Sequence, residues 1–245
     1  MLARFDPAST AWFLDVDGTL VDLAPTPDGV TVPATLPSLL ERLSTVTSGA
    51  LALVSGRALA DLEALLPGVG VTMAGDHGAV VRFADGGKRW LSRRRPLPRP
   101  LVREIQNDLG QLPGVLVEDK QTCLTVHYRQ APGSRDRLRR VLEAMAARCG
   151  THELTTAHMA FELRPRGGGK GVAVARLMQT PPFRDRRPVF IGDDVTDEDG
   201  IRAALLFGGV GLRVAQDFAG EPAAVRRWLA AQAEAGIVTT EGQIV

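Results

Sequence analysis

The sequence predicts an α/β protein with a Rossmann-like parallel-sheet core into which an α+β domain of αββαββ order is inserted. Three observations predict it. Short apolar runs alternate with stretches of helical spacing at both ends of the chain. Polar, glycine-bearing segments follow those runs directly, where an open parallel sheet presents its ligand sites. Between the two halves lies a stretch rich in arginine and proline, after which the texture changes.

Ala11 to Asp15 is a short apolar run ending in polar residues and glycine, which reads as a buried strand feeding a loop. Leu36 to Leu43 has helical spacing, Ala50 to Val54 is a second buried strand, Ala58 to Leu66 is helical again, and Val69 to Ala74 reads as a third strand. Ala79 to Phe83 and Lys88 to Leu91 flank Asp85-Gly86-Gly87, a hairpin signal because glycine supplies the positive φ that such turns need. Arg93 to Pro100 then carries four arginines and three prolines, the composition of a solvated linker.

Beyond it the pattern predicts a helix at Leu101 to Leu109, strands at Val115 to Glu118 and Cys123 to Tyr128, a helix at Ser134 to Arg148, and strands at His152 to Thr156 and Phe161 to Leu163. The α/β texture resumes after Gly167-Gly168-Gly169. A helix is expected at Gly171 to Met178, a buried strand at Val189 to Ile191, a helix at Glu198 to Leu206 and a strand at Gly208 to Leu212. The last helix is expected at Pro222 to Ala235, with proline near its start, where a missing N–H costs nothing. This assigns residues 1–93 and 166–245 to the core and 94–165 to the insert.

Composition excludes several classes of protein. The 245 residues are 44% hydrophobic and 23% charged with a net charge of +1, far from the regime of disorder. The balance also lacks the basic excess of a dedicated nucleic-acid binder. No apolar run approaches the roughly 18 residues needed to span a bilayer, and Met1 to Asp15 has no basic region leading a long apolar one. Cys123 and Cys149 are too few for a disulfide framework or a cysteine-based zinc site. A cytoplasmic protein with no nucleic-acid or membrane partner is the expectation. Of the 29 basic residues only Lys88, Lys120 and Lys170 are lysines, which singles out each one.

Four segments carry chemistry. Asp15-Val16-Asp17-Gly18-Thr19-Leu20 follows the first strand; carboxylates two residues apart can point the same way, and their repulsion is relieved by a divalent cation with an oxygen preference. An EF-hand would need glycine at the sixth position, and Gly18 is the fourth. Gly192-Asp193-Asp194 follows a later strand. Asp193 and Asp194 precede the next helix and are best explained as metal ligands or their supports, whereas Glu198 and Asp199 are better explained as acids favoured in a first helical turn. Ser55-Gly56-Arg57 offers a hydroxyl and backbone N–H groups for a phosphate oxygen, although Ser55 is an equally good helix cap. Lys170 stands before a helix behind three glycines. A Walker A loop would need glycine at Arg164 and a hydroxyl residue at Gly171, so what remains is a compact ammonium suited to a phosphoryl group.

In order and spacing these four segments resemble the motifs of the haloacid dehalogenase superfamily of phosphotransferases, and the αββαββ insert resembles its C2-type cap. The resemblance narrows to the trehalose-6-phosphate phosphatases through Gly75-Asp76-His77-Gly78, Glu118-Asp119-Lys120, His127-Tyr128-Arg129, Phe161-Glu162-Leu163-Arg164-Pro165 and Gly192-Asp193-Asp194-Val195-Thr196-Asp197-Glu198, and runs from about Trp12 to Leu206.

The resemblance implies the last step of trehalose biosynthesis: Mg²⁺-dependent hydrolysis of trehalose 6-phosphate through an aspartyl-phosphate. Asp15 becomes the nucleophile and Asp17 the acid and base. Mg²⁺ falls to the Asp15 carboxylate, the Asp17 carbonyl and Asp193, with Asp194 and Asp197 behind them. Ser55, Gly56 and Lys170 hold the phosphoryl group. Substrate binding falls to Arg57, His77, Glu118, Lys120, His127, Arg129, Glu162 and Arg164. For His77 a role in holding its loop stays open, as do surface or ion-pair roles for Arg129 and Arg164 and an exposed strand position for His127. Closure of core and cap about their linkers is expected. A monomer is expected, with a trehalose-6-phosphate synthase as the candidate protein partner. Two alternatives remain: a phosphatase for another sugar phosphate, of the sucrose 6-phosphate or mannosyl-phosphoglycerate type, and a non-catalytic sugar-phosphate sensor.

Overall fold

The computed structural model describes residues 3–24, 29–90, 97–119, 123–157 and 159–241, and forms two compact units, residues 1–91 with 169–245 and residues 92–168. The first unit opens with β1 (Thr10–Leu14), α1 (Leu36–Val46), β2 (Leu51–Val54), α2 (Leu59–Leu65) and β3 (Thr72–Gly75), followed by the hairpin β4 (Val80–Arg82) and β5 (Lys88–Trp90). The second unit is α3 (Arg99–Asp108), β6 (Leu116–Asp119), β7 (Leu124–His127), α4 (Arg135–Cys149), β8 (His152–Ala157) and β9 (Ala160–Pro165), the predicted αββαββ order. The first unit resumes with α5 (Lys170–Leu177), β10 (Arg187–Gly192), α6 (Glu198–Leu206), β11 (Val210–Arg213), a short α7 (Val214–Asp217) and α8 (Pro222–Glu241).

The core sheet has the order β11-β10-β1-β2-β3-β4-β5, parallel from β11 through β3 and antiparallel along the hairpin. Its strands are apolar on both sides because helices cover both sides. Trp12, Leu14, Leu51, Leu53, Val189 and Ile191 pack with α1, α2 and α8, while Phe13, Ala52, Val54 and Phe190 pack with α5 and α6. Successive residues thus alternate between two cores, the period of a strand. Trp12 meets Phe5 and Trp228 edge-on at centroid distances of 5.7 and 5.6 Å, which pins α8 to the sheet.

From β1 the chain runs outward through β2 and β3, and it later returns to lie on the other side of β1 as β10 and β11. The strand order therefore reverses between β1 and β10, and the crevice at such a switch point, at the carboxyl ends of the strands, is where open α/β sheets bind ligands.

The second unit has an antiparallel sheet of order β6-β7-β9-β8 with α3 and α4 against one face. Leu124, Val126, Phe161 and Leu163 point to the helices with Leu101, Ile105, Leu138 and Leu142. The pleat sends the intervening residues to the opposite face, so that Glu118, Thr125, Glu162 and Thr155 lie in one cross-strand row with His127 and Arg164 on the same side. No helix among the described residues is long and apolar enough to cross a membrane.

Candidate active site

The parallel register gathers the core motifs. Leu14 pairs with Ile191, and the Asp15 N–H donates to the Ile191 carbonyl at 2.9 Å, so the residues that follow β1 and β10 leave the sheet side by side. On the other side of β1 the Ser55 N–H donates to the Ala74 carbonyl at 2.9 Å, which places Ser55 at the same edge. Gly18 turns the chain after the first motif at φ +78°. A Cβ there would lie 2.1 Å from Asp193 Oδ2, so glycine is required both by conformation and by the approach of a carboxylate.

Asp15, Asp193 and Asp197 form one carboxylate cluster, each offering an oxygen within 4.8 Å of the others. Lys170, 3% exposed, donates from Nζ to Asp15 Oδ1 and Asp197 Oδ1, both at 2.6 Å. Thr19 Oγ1 donates to the second oxygen of Asp15 at 2.9 Å. Asp197 Oδ2 accepts from the N–H groups of Asp193 and Asp194 at 3.1 and 3.2 Å, which fixes the loop that carries Asp193.

Three carboxylates share one ammonium in a buried place, and their proton affinities show the strain. Burial, together with the neighbouring carboxylates and against the pull of Lys170, raises Asp15 to a pKa of about 7. The same causes raise Asp193 and Asp197 to about 7. For Lys170 burial alone would lower the pKa, but Asp15 and Asp197 outweigh it and hold the value well above that of a free lysine. An all-oxygen donor set with surplus negative charge suits a hard divalent cation such as Mg²⁺, so the residues fit the metal that the sequence implies.

A stability prediction follows. Carboxylates that titrate near 7 in the fold and near 3.8 in the unfolded chain keep more protons when folded. Their contribution is therefore fully present below about pH 4 and is lost as pH rises through about 7. A divalent cation replaces those protons, so the rise in melting temperature on adding Mg²⁺ to EDTA-treated protein should be larger at about pH 8 than at about pH 5. Thermal unfolding in the two buffers with and without Mg²⁺ measures it; an equal shift at both pH values would detach the cation from this cluster.

The remaining expected residues fall in identifiable places. Asp194 Oδ1 accepts from the N–H and the hydroxyl of Thr196, both at 2.7 Å, so Asp194 caps the turn that carries Asp197, and the cluster contains Asp197 in its stead. Asp17 and Arg57 form a two-point ion pair, with Nε on Oδ2 at 2.7 Å and Nη2 on Oδ1 at 2.6 Å. Ser55, 1% exposed, accepts the Arg57 N–H on its hydroxyl at 3.1 Å. Gly56 passes under the His77 ring so closely that a Cβ would stand 2.7 Å from Cε1. His77 itself, at φ +55° and 6% exposed, donates its N–H to the Ser55 carbonyl at 3.0 Å. The histidine thus braces the Ser55-Gly56-Arg57 loop.

In the second unit, His127 Nε2 lies 3.1 Å from Glu118 Oε2, and Glu162 is buried beside Thr125, whose hydroxyl is 3.5 Å from Glu162 Oε1. Arg164 reaches across to its register partner Glu153 at 3.1 Å. Arg129 is exposed in the turn after β7, and Lys120 lies outside the described residues, as does the 93–96 part of the expected linker.

Three site residues escape a reading of the sequence: Thr19, Thr125 and the central place of Asp197. Asp197 left one signal, its spacing four residues after Asp193 within a run of acids.

A parallel-sheet core with paired carboxylates after its first strand, a buried lysine and acids after a later strand defines a phosphotransferase of the haloacid dehalogenase type, carrying a separate α+β cap. The trehalose-phosphatase family model matches residues 13–214, and the chain belongs to that family. It is 37% identical over 207 residues to "Trehalose-6-phosphate phosphatase" of Escherichia coli K12, covering 84% of this chain and 78% of that protein. It is 41% identical over 205 residues to "Probable trehalose-phosphate phosphatase" of Sinorhizobium fredii, covering 83% and 77%. The fold is shared with the C-terminal domain of trehalose-6-phosphate phosphatase from C. albicans, at a TM-score of 0.79 and 20% identity over 93% of this chain and 92% of that one.

Proposed function

We propose that this chain hydrolyses trehalose 6-phosphate to trehalose and phosphate with Mg²⁺, through a phosphorylated Asp15. The observation that carries the reading is the buried contact of Lys170 with Asp15 at the switch point of the sheet, within the Asp15, Asp193 and Asp197 cluster. The names of the relatives at 37% and 41% identity support the substrate.

Asp15 attacks phosphorus while the bond to the sugar oxygen breaks, and Asp17 gives that oxygen its proton. Water then attacks phosphorus, Asp17 takes a proton from it, and Asp15 is freed. Lys170 lies against the Asp15 oxygen and neutralises charge gathering on the phosphoryl group, while Ser55 and the N–H of Gly56 take further oxygens. Asp15 and Asp193, with the Asp17 carbonyl and with Asp197 steadying the loop, would hold Mg²⁺. When bound, the cation lets two anions meet and polarises the phosphoryl oxygens. Glu118, Lys120, His127, Arg129, Glu162 and Arg164 are assigned to the sugar, for which alternating acceptors and donors are suited.

Phosphate release from trehalose 6-phosphate, glucose 6-phosphate and sucrose 6-phosphate, each with Mg²⁺ and with EDTA, tests the reading. Release mainly from trehalose 6-phosphate, abolished by EDTA, is expected. Preference for another sugar phosphate would overturn the substrate and keep the chemistry, and no release from any would favour a sensor.

A further inference from the structure

Arg57 is among the residues expected to bind substrate, yet its guanidinium is spent on another task. Nε and Nη2 engage both oxygens of Asp17, at 2.7 and 2.6 Å, and the two side chains are 12% and 29% exposed. The backbone of Arg57 is fixed at both ends: its N–H meets the Ser55 hydroxyl at 3.1 Å and its carbonyl accepts the Asp76 N–H at 2.7 Å. That makes a planar fork on a rigid base, the geometry that fixes the plane of a carboxylate and not only its position. Asp17 lies in the loop after β1, directly before the Gly18 turn of the first motif, and an aspartate in such a loop has two free side-chain torsions unless something holds it.

We infer that Arg57 is the positioning residue of Asp17: it yields one of its two bonds as that Asp17 oxygen takes a proton from solvent, and through the other it sets the orientation from which Asp17 gives the proton to the leaving sugar oxygen. The inference rests on the proposed reaction and deepens it, because it assigns Arg57 to the acid instead of to direct contact with the substrate. A residue that acts through an acid matters in proportion to how much the leaving group needs a proton. A sugar alkoxide needs one, and p-nitrophenolate does not.

The test measures the first phosphoryl transfer in a single turnover with trehalose 6-phosphate and with p-nitrophenyl phosphate. For Arg57→Ala the sugar-phosphate rate should fall by on the order of a hundredfold and the aryl-phosphate rate far less, so that the ratio of the two drops at least about tenfold. Arg57→Lys, which keeps the charge and loses the fork, should lie between, and added guanidinium should restore part of the Arg57→Ala loss on the sugar phosphate. In the Asp17→Asn background Arg57→Ala should cost little more, because the residue through which it acts is gone. Circular dichroism of each variant checks that it folds; should Arg57→Ala not fold, Arg57→Lys and its ratio decide. Equal losses on both substrates, or a full further loss on top of Asp17→Asn, would place Arg57 on the phosphoryl group and overturn the inference. Absence of wild-type turnover on both substrates would instead overturn the reaction on which it rests.

Discussion

Asp15→Asn should lower phosphate release by on the order of a thousandfold or more while leaving the fold intact, because it removes the nucleophile and its charge and keeps the shape of the side chain, with Asp197 still paired to Lys170. Asparagine has the shape of aspartate and can still accept the Thr19 hydroxyl, and it removes one of three mutually repelling carboxylates. What it lacks is an oxygen with the charge to attack phosphorus and to hold a cation beside Asp193. Steady-state turnover together with thermal unfolding checks both halves. A variant with activity near wild type would take Asp15 out of the reaction, and a variant that did not fold would make its role structural.

Lys170→Met should have an effect of comparable size on activity and a larger one on stability. The ammonium is the common partner of Asp15 and Asp197, with the lysine side chain 4% exposed and those of the two acids 5% and 1% exposed. Removing one member of a buried ion pair leaves charge stranded, at a cost of about 3–5 kcal/mol. Methionine keeps most of the volume, so the loss reports charge and not a cavity. The carboxylates that remain can take protons instead, so the destabilisation should shrink as pH is lowered from about 8 to about 5. Denaturant unfolding at the two pH values measures it, and a loss independent of pH would point to packing. Activity should fall as well, since the same ammonium faces the phosphoryl group.

Much of this arrangement is legible in the sequence because it follows from strand order. Asp15, Ser55 and Asp193 each come directly after an apolar run, and in a parallel sheet the ends of adjacent strands are neighbours. Lys170 is legible for a different reason, as one of three lysines among 29 basic residues, placed before a helix. Part of the polar face of the second sheet can also be read, since Glu162 stands between the apolar Phe161 and Leu163.

What is not legible depends on contacts between distant segments. Asp194 and Asp197 sit in one acidic run, and only the turn after β10 decides that the first caps a backbone while the second meets Lys170. Nothing local to Arg57 says that it pairs with Asp17, forty residues away. His77 reads equally as a substrate ligand and as a brace, and its φ of +55° together with its packing on Gly56 arises only when the loop after β3 closes on the loop after β2. The short α7 follows β11 directly and gives too few residues for a periodicity to register.

The central claim is that Asp15 carries the phosphoryl group between sugar and water. Rapid mixing of the Mg²⁺-loaded protein with trehalose 6-phosphate, acid quenching within one turnover, and mass spectrometry of its peptides tests this most directly, with Asp17→Asn mixed with p-nitrophenyl phosphate, whose leaving group needs no proton, so that only the hydrolysis step is slowed. A phosphoryl group on the peptide containing Asp15, formed and lost at least as fast as the enzyme turns over and accumulating in Asp17→Asn, is the expected result. Trehalose released in the first turnover with no phosphorylated Asp15 peptide in either protein would contradict the account.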